Sequence, residues 1–290
     1  MSQIRLGIPK GSLEAATIFL FAQAGWKITP RSRNYYPAIN DPDMTCALVR
    51  SQEMAPYVVN GTLDLGLTGK DWIIETQADV VEICELVYSK SSDQPCRWVL
   101  VVREDSPIQS VEDLQGKKIA TELVGFTRRF LQEKGIEAQV EFSWGATEAK
   151  VVEGLVDAVV EITETGSTIR AHGLRIVTDL LYTDTRLIAN RAAMEDPWKR
   201  MKIEQISMLL QAALAARKKV GLKMNVAAKS LDDVIAILPS LNAPTVNHLY
   251  DREWLAVDTV VDAAVVRDLI PELRAAGAEG IIEYELRKIL

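Results

Sequence analysis

Asp157-Ala-Val-Val-Glu-Ile-Thr-Glu-Thr-Gly-Ser-Thr-Ile-Arg-Ala-His-Gly-Leu174 is the stretch whose reading decides the fold. Residues 158–162 are short, apolar and β-branched, which is the pattern of a buried strand. Thr165, Gly166, Ser167 and Thr168 form a hydroxyl-rich turn, and Ile169, Arg170 and Ala171 open a helix. Strand, tight turn and helix in succession are the unit of an α/β architecture. The same unit makes an anion site. The N–H groups of a first helical turn lack intrahelical partners, and the helix dipole adds partial positive charge. Gly166 lets backbone come close to a ligand. Glu161 and Glu164, just upstream, can hold ribose hydroxyls or a magnesium ion. The local pattern equally fits a plain N-capped helix, with Thr165 or Ser167 as the cap.

Outward from this stretch the alternation continues. Strands are predicted over 4–8, 45–49, 63–68, 80–88, 96–103, 117–121 and 139–143, with helices between them. This alternation predicts an α/β fold with parallel strands. Ser89 to Pro95 is polar and reads as a crossing between two lobes, and 174–190 returns as strands. Residues 1–95 with 185–212 are expected to form the first lobe, and 96–184 the second. Asp196 as N-cap and Pro197 at the first helical position start the longest helix, to about residue 219. After Gly221 the order becomes βαββαβ, the ferredoxin-like signature, so 213–290 is expected to be a small separate domain.

Composition bounds the function class. With 48% hydrophobic and 25% charged residues, the 290-residue chain can build a sizeable core. A net charge of −7 without a basic block shows no nucleic-acid footprint. No apolar run approaches the roughly 18 residues of a membrane span, and no signal-peptide pattern opens the chain. Three scattered cysteines (Cys46, Cys84, Cys96) form neither a disulfide framework nor a zinc knuckle, so a cytoplasmic location is expected. His172 and His248 are the only histidines, which excludes a histidine-rich metal site.

Several turns offer phosphate-compatible groups: Lys10, Gly11 and Ser12; Arg33; Arg50; Thr68, Gly69 and Lys70; and the 165–168 turn. Judged alone, Lys10 also reads as a solvated lysine. The glycine spacing before Lys70, and the Asp71 after it, rule out a Walker A loop. No nucleophile with an activating base stands out. The chemistry expected is therefore transfer by positioning and electrostatics at a phosphate-rich substrate.

Residues 161–174 resemble the phosphoribosyl-diphosphate signature of the ATP phosphoribosyltransferases, pentosyltransferases that open histidine biosynthesis. Asp64-Leu-Gly-Leu-Thr-Gly-Lys-Asp71 is similar to a second run of that family. Cys96-Arg97, 119–122, Arg128-Arg129 and Gly145-Ala-Thr-Glu-Ala-Lys150 match further blocks. The C-terminal βαββαβ segment, with Ala243-Pro-Thr-Val246, resembles the regulatory domain of the long form. The resemblance implies a two-lobed, periplasmic-binding-protein-like catalytic core and an ACT-like regulatory domain.

The resemblance also implies the chemistry and its residues. ATP would react through adenine N1 with C1 of 5-phosphoribosyl 1-diphosphate, with inversion and release of diphosphate, and Mg2+ would be carried by the substrate. Glu161, Thr165, Gly166, Ser167 and Thr168 would hold the phosphoribosyl group, with Glu164 beside them. Lys10, Gly11, Arg33, Arg50, Thr68, Gly69, Lys70 and Asp71 would line the ATP and diphosphate region. Asn225, Leu241 and Thr245 would bind histidine as a feedback inhibitor, while AMP would compete at the active site. A homo-oligomer, dimer or hexamer, is implied, with no nucleic-acid or membrane partner. Glu148 is expected on a helix surface, at most one of Arg128 and Arg129 in a functional role, and His172 as a structural residue near a helix end. Two other readings, a small-molecule binding protein and an inactive regulatory subunit, share the architecture.

Overall fold

Short β-branched runs and amphipathic segments fold into three main sheets. The computed structural model describes residues 3–30, 34–88, 95–239 and 243–290. The predicted lobe crossing at 89–95 lies almost entirely outside them. The chain divides into two compact units: Met1–Ala22 with Trp26–Ser207, and Gln23–Gly25 with Met208–Leu290.

The first unit opens with β1 (Ile4–Lys10), α1 (Glu14–Ala24), β2 (Ile28–Thr29), β3 (Ala38–Ile39), β4 (Met44–Arg50) and α2 (Ser51–Val59). β5 (Leu65–Gly69), α3 (Lys70–Thr76) and β6 (Val81–Leu86) follow. Then come β7 (Cys96–Arg103), β8 (Lys118–Thr121), α4 (Val124–Glu133), β9 (Gln139–Phe142), α5 (Thr147–Val152), β10 (Ala158–Thr163) and α6 (Ser167–Ala171). β11 (Leu174–Thr183), β12 (Thr185–Ala189), α7 (Arg191–Glu195) and α8 (Pro197–Arg217) complete the run. The first sheet has the order β4-β1-β5-β12-β6 and the second β11-β7-β10-β8-β9. A β11–β12 step of one residue, Asp184, returns the chain from the second sheet to the first. This two-lobed α/β arrangement is the periplasmic-binding-protein-like type expected.

The strands are not all parallel, which corrects the expectation. β1, β4 and β5 are parallel, as are β8, β9 and β10. β12 runs antiparallel between β5 and β6, and β7 antiparallel between β10 and β11. Apolar periodicity fixes which residues are buried but carries no strand direction.

The cores follow the buried faces. Leu65 and Leu67 of β5 are fully buried, as a central strand covered on both faces demands. Gly7 and Gly66 are register partners on β1 and β5, and both lie under Met54 of α2. A Cβ would stand 2.3 Å from the Met54 sulfur at Gly7 and 2.7 Å at Gly66, so the two glycines let α2 sit close to the sheet. In the second sheet Trp98, Leu100 and Val102 bury one face and Val99 and Val101 the other.

α3 ties the two sheets together. Trp72 is packed against the second sheet's core and meets Trp98 edge-on, ring centroids 6.4 Å apart. The Glu75 carboxylate accepts hydrogen bonds from the Gly125 and Phe126 N–H groups, both at 2.7 Å, at the start of α4. Arg129 donates back to the Ile74 carbonyl. Arg128 reaches the Val140 carbonyl, so both arginines of the pair make structural contacts.

Helix starts follow capping chemistry. The Asp196 carboxylate accepts from the N–H groups of Trp198 at 2.9 Å and Lys199 at 3.0 Å, with Pro197 in the first turn. α7, which periodicity did not predict, begins with the Asn190 side chain accepting from Ala193 N–H. The buried Asp64 accepts from Arg5 at 2.8 Å and from Lys199 at 2.8 Å. Burial alone would raise its carboxyl pKa, but these partners hold it below the usual carboxylate range.

The second unit contains β13 (Lys219–Ala227), α9 (Leu231–Ile237), β14 (Thr245–His248), β15 (Trp254–Asp262), α10 (Val266–Ala275) and β16 (Ala278–Glu285). They form the expected βαββαβ fold, with antiparallel order β14-β15-β13-β16. Leu222, Met224, Val226, Val257 and Val261 bury one face with Val234, Leu269 and Leu273 of the helices. Among the described residues no helix is long and apolar enough to cross a membrane.

Candidate active site

Ligands of open α/β sheets gather at the carboxyl ends of the parallel strands, and this chain sends its charged turns there. Lys10 and Arg50 are register partners at the ends of β1 and β4, so two cations leave the first sheet side by side. On the second sheet β8 ends before Glu122, β9 before Trp144, and β10 at Thr163. A cavity of about 470 Å³, in the range of small-molecule sites, is walled by Lys10, Gly11, Arg50, Gly69 and Asp71 from the first sheet's side. Trp98, Glu122 and Ile162 wall it from the second. Gln52 reaches Glu122 across it at 3.5 Å.

The two cations rest on aromatic rings. Lys10 Nζ lies 4.1 Å from the centroid of Tyr35, and Arg50 Cζ 5.0 Å from that of Trp144. Such pairs are each worth on the order of 1 kcal/mol, less than a charge-assisted bond to a phosphate, so both cations are available. Arg33 lies outside the described residues.

The remaining first-lobe positions are committed to the scaffold. Thr68 is buried and donates its hydroxyl to the Ser51 carbonyl at 2.8 Å. Lys70 donates its N–H to the Asp184 carbonyl at 2.9 Å, and its side chain is not part of the cavity wall. Asp71 is buried, and burial raises its carboxyl pKa. Trp98 Nε1 donates to that carboxylate at 2.7 Å, and the Asp71 N–H donates to Thr183 Oγ1 at 3.1 Å. Asp71 thus joins α3 to β7 and β11.

The 165–168 turn follows Ile162 at the end of the same strand, β10, and does not wall the cavity. Gly166, at φ +72°, holds the N-cap position, so neither Thr165 nor Ser167 occupies it. Its N–H donates to Thr163 Oγ1 at 2.9 Å. The Ser167 N–H donates to Thr165 Oγ1, and that hydroxyl donates to Ser167 Oγ at 3.0 Å. Thr165, Ser167 and Thr168 are exposed. A Cβ at Gly166 would meet Ile176 at 3.0 Å and Arg170 at 3.1 Å. The turn is therefore pre-shaped, with hydroxyls outward. His172 accepts its structural place, with Nδ1 2.9 Å from the Thr168 carbonyl at the end of α6.

Three carboxylates meet behind it. Burial, then the charges of Glu148 and Glu122, raise the Glu161 pKa to about 7. The Glu161 carboxylate accepts from the Ile162 N–H at 3.3 Å, while the Thr147 hydroxyl donates to Ser143 Oγ at 3.2 Å. Glu148, half-buried in the first turn of the short helix α5, is close enough for its charge to act on Glu161, because α5 packs against β10. Glu164 acts on Cys96, whose thiol is pushed up to about 11 by burial, Glu164 and Asp71. Sequence reasoning missed Trp144 and gave no separate role to Glu122, which lies in a block it had singled out; the ends of β9 and β8 bring them to Arg50 and Gln52.

In the second unit, Asn225 and Thr245 stand on the sheet face opposite the helices. The register pairs Asn225 with Ala256 and Lys223 with Asp258, and on the far side of β15 the same two residues pair with Asn247 and Thr245. Leu241 lies outside the described residues.

Comparison with known proteins gives the chain its relatives. Residues 50–212 match the family model described as ATP phosphoribosyltransferase, and 216–288 match the model of its C-terminal domain. An ATP phosphoribosyltransferase of Desulfatibacillum aliphaticivorans is 63% identical over 287 residues, covering 99% of this chain and 98% of its own. One from Solidesulfovibrio magneticus is 61% identical over 289 residues, covering 100% and 99%. Among solved structures, the ATP phosphoribosyl transferase (HisG:HisZ) complex from Thermotoga maritima is similar in fold. Its TM-score is 0.62 at 24% identity, over 72% of this chain and 99% of that one.

Proposed function

The chain belongs to the ATP phosphoribosyltransferase family of pentosyltransferases, and from that premise we propose that it joins adenine N1 of ATP to C1 of 5-phosphoribosyl 1-diphosphate in the cleft between its two sheets. The observation that carries the reading is the division of charge across that cleft: Lys10 and Arg50 on one side and Glu122 on the other, with the charge of Glu122 acting on Glu161 on the strand that leads into the hydroxyl turn. Polyphosphate fits the first wall and a ribose 5-phosphate the second.

In the reaction the N1–C1 bond forms, the C1–O bond breaks, and its electron pair leaves with diphosphate. N1 attacks through a lone pair and carries no proton, so positioning is the main requirement. The 165–168 turn holds the 5-phosphate by its hydroxyls and N–H groups. Glu161 accepts from the ribose hydroxyls, and its negative charge, with those of Glu148 and Glu122, favours the positive charge that develops at C1. Lys10 and Arg50 move from their aromatic rings to the phosphates. Among the described residues no group of three His, Cys, Asp or Glu side chains is placed to hold a metal ion. Mg2+ is proposed to enter as part of the diphosphate substrate, where it would neutralise the leaving group.

The open face of the second unit, carrying Asn225 and Thr245, is the proposed seat of histidine feedback, and AMP competes for the ATP wall. The active form is proposed to be a homo-oligomer. Incubation with ATP, 5-phosphoribosyl 1-diphosphate and Mg2+ is expected to yield 1-(5-phosphoribosyl)-ATP by mass. No product would sink the enzyme and leave the binding-protein or inactive-subunit reading. Product formation insensitive to histidine would remove the feedback assignment alone.

A further inference from the structure

We propose that the Trp144 indole is the platform on which the acceptor's purine stacks, with Arg50 moving from the indole to the triphosphate. The proposal rests on the reading above, and concerns how the acceptor base is held.

Trp144 is 56% exposed, while Trp26 and Trp98 are 7% and 2% exposed. With Phe142 exposed beside it, this indole presents a flat aromatic surface on which a planar base can stack. The ring is not loose. Phe142 lies beside it with centroids 5.9 Å apart, and Arg50 sits over its face at 5.0 Å. Arg50 is part of the cavity wall and covers one face of the indole, which places Trp144 at the margin of the cavity. A purine occupies the same face at van der Waals distance, so the guanidinium must leave. The triphosphate that arrives with the base offers it a stronger, charge-assisted partner. An exchange of partners then seats the base and the phosphates in one step.

Position agrees with the chemistry. N1 must approach C1, whose neighbouring hydroxyls fall to Glu161. The loop carrying Trp144 leads into α5, which packs against β10, the strand that carries Glu161. A base on this indole therefore lies beside the ribose wall.

The test is steady-state kinetics and calorimetry on the full chain. Trp144→Ala is expected to raise the KM for ATP about tenfold while leaving that for 5-phosphoribosyl 1-diphosphate within about twofold. Trp144→Phe should recover most of the loss, and Trp144→Leu, apolar but without a π-face, should not. Binding of inorganic tripolyphosphate, which lacks a base, should be unchanged in all three variants, and ATP binding weakened in two. Equal rises in both KM values, no rise, or rescue by leucine would overturn the platform. Should the native chain make no product, the function fails on its own. The platform is then judged by ATP against tripolyphosphate binding: equal loss of both, or of neither, refutes it.

Discussion

Glu161 carries a pH consequence that can be read at a single residue. Its folded pKa of about 7 lies above the ordinary value of 4.5. Between those values the folded chain holds a proton that the unfolded chain releases, so the group's contribution is full below pH 4.5 and is lost as pH rises toward 7. The cost of the ionised form above pH 7 is at most about 3 kcal/mol. Glu161→Gln should therefore raise the melting temperature at pH 8 and have no such effect near pH 4. The same variant should slow the reaction and remove the fall in kcat/KM for 5-phosphoribosyl 1-diphosphate that the native chain shows below about pH 7. A native profile flat through that range would refute the assignment. The 165–168 turn was legible because its strand, glycine and hydroxyls are contiguous. Glu148 and Trp144 were not: each faces the site only because β8, β9 and β10 end at one edge.

At the scale of the element, the contact of α2 with the first sheet depends on two missing side chains. Gly66→Ala would place a Cβ 2.7 Å from the Met54 sulfur, 2.9 Å from its Cγ and 3.2 Å from Val58. Overpacking of this kind costs about 1–3 kcal/mol, and thermal melting should show a lower midpoint with the fold unchanged. A variant as stable as the native chain would mean that α2 can shift outward freely. The sequence shows residues 63–68 as a strand but gives no reason for Gly66, since Met54 and Gly7 are distant in the chain. Strand direction was hidden similarly. β12 and β7 have the periodicity of their neighbours and differ only in how the chain reaches them. Capping was legible at Asp196, where the acid, the proline and the helical pattern are adjacent. It was missed at Asn190, where a five-residue helix offers no period to detect.

At the scale of the whole molecule, the order of elements predicted two α/β lobes and a βαββαβ domain, and all three sheets formed. What no pattern displayed is how α3 belongs to both sheets, through Trp72, Asp71 and Glu75. Each contact joins groups far apart in sequence: Trp98 and Thr183 for Asp71, Gly125 and Phe126 for Glu75. Such a helix makes the two sheets thermodynamically inseparable, since neither can open without exposing the other's core. Hydrogen exchange should then give β5 and β7 amides the same opening free energy, although they lie in different sheets. Glu75→Ala, which strips two N–H groups of their acceptor, should lower both together by about 1–3 kcal/mol; unequal losses would show that the lobes open one at a time. The cleft's geometry is in this sense settled when the chain folds, before any ligand arrives. The ordering of its walls is not charged to substrate binding, so ligand-induced changes should be confined to side chains and turns at the strand ends.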